Sequence, residues 1–169
     1  MSLRITLVFR DNPYGVAVKP QPPGLKIVTV QGQKVEWRCQ GGNWSPTPPT
    51  RRGDNATLVV RIFFPDCLAV DSTGQPVTDS LDHRSHMVDA TSAGCPSDHP
   101  YPVPRLQTNF LFKNIPTTKG QPTLSSGPYS TMHVDFFNAW QAGTLEDLVA
   151  RCINKARFTA TNPKPTDCG

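Results

Sequence analysis

Thr57-Leu58-Val59-Val60-Arg61-Ile62-Phe63-Phe64 is the stretch on which the fold turns. Leu58, Val60, Ile62 and Phe64 fall on one face at a period of two, with Val59, Arg61 and Phe63 on the other. Pro65 closes the run, as proline does where a ladder amide is no longer available. The stretch predicts a strand whose even face is buried. Val35–Cys39 repeats the pattern, with Val35, Trp37 and Cys39 opposite Glu36 and Arg38. Leu106–Phe112 repeats it again through Leu106, Thr108, Phe110 and Phe112.

Weaker strands flank these. Arg4–Phe9 ends at the turn signal Asp11-Asn12-Pro13, and Leu25–Val30 follows the extended Pro20–Gly24. Met132–Phe137 alternates so that His133 and Asp135 project together. One helix is expected: Thr144 with Asp147 forms an acidic capping box, and Leu145, Leu148, Val149, Cys152 and Ile153 share a face. Residues 1–157 therefore read as a single mainly β domain, an antiparallel β-sandwich with long ordered loops and one carboxyl-terminal α-helix. Residues 158–169 read as a loose tail.

Composition narrows the classes. The 169 residues include 18 prolines and only 18% charged residues, and the net charge is +4. The basic residues are scattered, so no nucleic-acid footprint is present. No apolar run approaches a membrane span, and Met1–Phe9 is too short and too polar for a signal-peptide core. Five cysteines without a Cys-x-x-Cys pair suit disulfides and an oxidising, extracellular or cell-surface setting. A Cys67–Cys95 bridge would close a loop of about 28 residues and contribute roughly 3.5 kcal/mol on a chain-entropy argument. The odd count leaves one thiol over, and the polar tail makes Cys168 the expected one.

Chemistry concentrates in the aperiodic segment from Asp66 to Pro104 and in the last strand. All four histidines lie there: His83, His86, His99 and His133. Imidazole suits metal ligation and proton transfer near neutral pH. A divalent transition metal held by His86, His99 and His133 is one reading. Acid–base catalysis by His86 or His133, oriented by Asp82 or Asp135, is a second. The third gives these side chains no reaction and uses them to satisfy the amides of a long loop. The candidate ligand-binding residues are Asp82, His83, His99 and the loop residue Trp44, with Trp44 as an exposed aromatic platform. Trp37 and Trp140 read as core.

In order, Pro22-Pro23-Gly24-Leu25, Trp37-Arg38-Cys39, Phe64-Pro65-Asp66-Cys67, Asp82-His83-Arg84-Ser85-His86, Gly94-Cys95-Pro96 and His99-Pro100 resemble one family. Pro104-Arg105-Leu106, Leu124-Ser125-Ser126-Gly127 and His133-Val134-Asp135-Phe136-Phe137-Asn138-Ala139-Trp140 continue the series. It is a secreted or cell-surface family of filamentous fungi and actinobacteria, known as a domain of unknown function and sometimes fused to WSC carbohydrate-binding modules. The chain departs from it at Leu68, usually tryptophan, and Ala139, usually glycine. The family's amino-terminal half, with its own His-x-His motif, has no counterpart. The resemblance implies an extracytoplasmic protein partnered with glycan or cell-wall polymer. The expected function is therefore binding or acting on cell-wall polysaccharide through the His/Asp cluster. The competing expectation is a non-catalytic structural or surface-display protein whose loop is stapled by a disulfide.

Overall fold

A computed structural model describes residues 2–10, 16–29, 34–50, 55–115 and 120–155. In chain order the strands are β1 (Ser2–Arg10), β2 (Lys26–Val28), β3 (Val35–Cys39), β4 (Ala56–Phe63), β5 (Cys67–Leu68) and β6 (Met87–Val88). They continue as β7 (Tyr101–Pro102), β8 (Arg105–Ile115), β9 (Thr123–Leu124), β10 (Gly127–Pro128) and β11 (Asp135–Phe137). Helix α1 (Ala142–Leu148) runs on into a wider π-type turn at Val149–Ile153. The architecture is thus mainly β, with antiparallel pairing and one carboxyl-terminal helix, as expected. Two compact units form, each drawn from several chain segments: residues 1–8, 28–64 and 106–134, and residues 9–27, 65–105 and 135–169.

The first unit is built on a four-stranded sheet ordered β1-β8-β4-β3. Its register carries out the alternation: Val35 faces Ile62, Trp37 faces Val60, and Val60 in turn faces Phe110. Val35, Trp37, Leu58, Val60, Ile62 and Ile115 form one buried cluster, with Phe110, Phe112 and Tyr129 packed against it. Val60 and Ile62 are completely buried. Each such side chain contributes about 1.5–3 kcal/mol by leaving water. The shift in register between Ala56 and Leu58 sits beside Asn55, whose φ of 56° places it in the left-handed region that asparagine tolerates.

The second unit holds the aperiodic segment, and it is ordered without long strands. A three-stranded ladder, β6-β5-β7, centres on Cys67 and Leu68, both fully buried. The predicted Cys67–Cys95 disulfide is present. Asp66, 1% exposed, accepts from Ala90 N–H at 2.7 Å and pairs with the Arg105 guanidinium at 2.9 Å. Asn138 is also buried, and its amide donates to the carbonyls of Gln21 and Pro22, each at 2.9 Å. Leu145 and Val149 of the helical segment pack on Val18.

Two local expectations are corrected, at the helix cap and at Trp140. Helix α1 starts at Ala142 with Gln141 as its cap and no side-chain capping bond, so Thr144 lies inside the first turn and the capping box does not form. The free thiol among the described residues is Cys39, while Cys152 is disulfide-bonded. The expectations for Cys168 and for the tail lie outside the described residues. Trp140 is not core: it is 43% exposed, with its edge against Phe9.

Candidate functional site

The Asp82–His86 turn belongs to the second unit and is tied internally. One atom, Asp82 Oδ1, accepts from Ser80 Oγ (2.8 Å), Arg84 N–H (3.0 Å), Ser85 N–H (2.9 Å) and Ser85 Oγ (2.9 Å). Those bonds hold its carboxyl far below the ordinary carboxylate range, the Ser85 amide contributing most. A carboxylate can only accept, so the single hydroxyl proton of Ser80 is directed to Asp82. His86 Nδ1–H therefore donates to Ser80 Oγ at 2.8 Å. His86 is 3% exposed, and burial pushes its pKa below the usual imidazole value. At neutral pH it is an uncharged, sealed ring.

Its neighbours are engaged similarly. His83, at a left-handed φ of 52°, meets Asp79 through Nδ1, and Lys26 Nζ reaches the same carboxylate at 3.0 Å. His83 and then Lys26 lower the Asp79 pKa to about 2. His99 Nε2–H donates to the Ser85 carbonyl at 3.2 Å, and Asp98 lies 3.3 Å from its Nδ1. The structure thus gathers Asp82, His83, His86 and His99 around one turn, with Asp79 and Ser80 as joints that the sequence reading missed. Nothing in residue spacing separates a joint from a ligand.

His133 belongs to the first unit and is exposed; its Nδ1–H donates to the Thr131 carbonyl at 2.9 Å. Asp135 opens β11 and is exposed. Among the described residues no group of three or more His, Cys, Asp or Glu side chains is placed to hold a metal ion. A ligand set of His86, His99 and His133 would draw on both units. Catalytic use of His86 meets a second obstacle, because a substrate cannot reach a ring with 3% exposure. Trp44 is not a bare platform either: the guanidiniums of Arg38 and Arg61 lie over its ring at 4.2 and 3.9 Å.

A hollow of about 380 Å³ opens in the second unit, and none of the predicted site residues lines it. Tyr101, Lys19, Gln75 and Glu146 line it, framed by Pro22 and Pro76. Lys19 Nζ sits 4.5 Å over the Tyr101 ring, an ammonium–π contact. Burial, and then the Glu146 charge, raise the Tyr101 pKa. The turn bearing Gln75 is fixed by Asp71 Oδ1, which accepts from the Thr73 and Gln75 amides at 2.8 and 3.0 Å. Tyr101 is one aromatic among several in the chain, and Lys19 and Glu146 belong to no motif. A second hollow, about 440 Å³ in the first unit, has Trp37 as its only aromatic, and at 1% exposure that ring offers no face.

Residues 9–140 match the family model "Domain of unknown function (DUF1996)". No curated protein and no solved structure is detectably similar to the chain. The match spans well over half of the 169 residues, and the chain belongs to this family.

Proposed function

We propose that the chain is an extracellular or cell-surface domain that binds a polyhydroxylated polymer of the cell wall without transforming it. The Tyr101 hollow is the binding site in this reading, and the His/Asp turn is its rigid support. One observation carries the proposal: a half-buried aromatic ring stands beside an ammonium, a carboxylate and an amide in one pocket of ligand size. Sugars present apolar ring faces and hydroxyls that both donate and accept. Tyr101 suits the former; Lys19, Glu146 and Gln75 suit the latter. Disulfide bonding at Cys67, Cys95 and Cys152 supports an oxidising setting. No helix among the described residues is long and apolar enough to cross a membrane.

Titration calorimetry with oligosaccharides released from microbial cell walls tests this reading. Tyr101→Ala is expected to weaken binding about tenfold or more, whereas His133→Ala with Asp135→Ala leaves it unchanged. The reverse pattern, or heat from neither protein, overturns it.

A further inference from the structure

Helix α1 carries two adjacent carboxylates that meet different fates. Asp147 is neutralised locally, its Oδ2 pairing at 2.6 Å with Arg151 four residues on. Glu146 has no such neighbour: the positions three and four residues away are Ala142, Gly143, Val149 and Ala150. It lines the Tyr101 hollow instead. Its charge is felt at the phenol. Burial, and then Glu146, raise the Tyr101 pKa, so the hydroxyl keeps its proton at neutral pH.

The cation of the same hollow is already engaged. Lys19 N–H donates to the Pro102 carbonyl at 2.8 Å, which fixes residue 19 beside β7, and Lys19 Nζ rests 4.5 Å over the Tyr101 ring. The hollow thus holds an ammonium placed on an aromatic face and a carboxylate with no basic partner on its own helix. A sugar hydroxyl can bond to that carboxylate but leaves its charge unbalanced. An ammonium brings both the opposite charge and three donors.

We propose that the hollow selects amino sugars with a free amine, and that Glu146 is the residue that reads the ammonium. The inference rests on the Tyr101 reading above and names its ligand class. The Glu146 carboxylate accepts from the ammonium, while Gln75 and Lys19 serve the ring hydroxyls. Acetylating the amine removes its charge and two of its three donors, and with them the reason to prefer this site. A uronic acid would set a second carboxylate against Glu146. General attraction cannot produce the same preference, because the chain carries a net charge of +4 and repels a polycation.

Titration calorimetry of the full chain at about pH 6, where a sugar amine is protonated, compares short β-linked oligomers of glucosamine, N-acetylglucosamine and glucose. The glucosamine oligomer is expected to bind about fivefold or more tightly than either of the others. Glu146→Gln, nearly isosteric at an exposed helical position, should erase that preference, and Asp147→Asn should keep it. Equal affinity for the three, or tighter binding of the acetylated or glucose oligomer, overturns the inference and leaves the Tyr101 reading standing. So does a preference that survives Glu146→Gln, or one that Asp147→Asn removes as fully. Heat from none of the three oligomers overturns both.

Discussion

The sheet around Val60 and the segment around Cys67 reach similar order by opposite means. In the sheet, backbone ladders run for whole strands and the stabilising surface is apolar: Trp37, Leu58, Val60 and Ile62 interlock from neighbouring strands. Around Cys67 the ladders last two residues each, and the chain is held by a disulfide, a buried carboxylate and a buried amide. Side-chain burial needs repetition. Polar stapling needs only a few atoms in the right places, so it can fix a chain that has no period at all. Its cost is that each staple is irreplaceable by its neighbours.

Removing the largest core side chain should break the first mode. Trp37→Ala is expected to lower stability by about 3–5 kcal/mol, measured by urea unfolding; a loss below 1 kcal/mol would contradict the burial seen at that position. The second mode is tested by Cys67→Ser with Cys95→Ser. Chain entropy predicts a loss of roughly 3.5 kcal/mol, and hydrogen exchange should show the amides of residues 66–104 opening well before those of β4. Uniform loss of protection across both regions would erase the distinction drawn above.

The smallest expected effect is the dependence on pH. His86 has a lower pKa folded than unfolded, so the unfolded chain takes up a proton more readily. Its contribution is complete above about pH 6.5 and is lost as pH falls below that value. Asp79 follows at lower pH: its contribution is complete above about pH 4 and is lost on approach to its folded value of about 2. Unfolding midpoints between pH 7 and 5 should therefore decline, and His86→Gln should flatten that decline. A midpoint that rises on acidification would contradict the burial of a neutral ring.

The sheet was legible because its cause is periodic. Leu58, Val60 and Ile62 announce a face before any partner is known, and Val35 and Trp37 announce the matching one. The turn was legible only as a gathering of polar residues. Spacing places His86 near Asp82 but cannot say whether Nδ1 faces a serine hydroxyl or a ligand; that depends on Ser80, which belongs to no motif. Trp44 misled for a related reason. Arg38 and Arg61 reach it because Glu36 pairs with Arg61 and Arg38 with Val59, which brings both guanidiniums to one side of the sheet. That diagonal exists only once the register is fixed. The Tyr101 hollow draws Lys19, Gln75 and Glu146 from three distant stretches, and no local signal joins them.

Four donors converge on a single oxygen of residue 82, whereas Leu81 beside it touches little but solvent. Mutational drift in this loop is thereby made uneven at the scale of one bond. Leu81 can wander through most of the alphabet, while glutamate at the next position, alike in charge, would carry the anchoring atom one methylene too far. Similarity of side-chain class is a poor guide there; reach is what the loop selects.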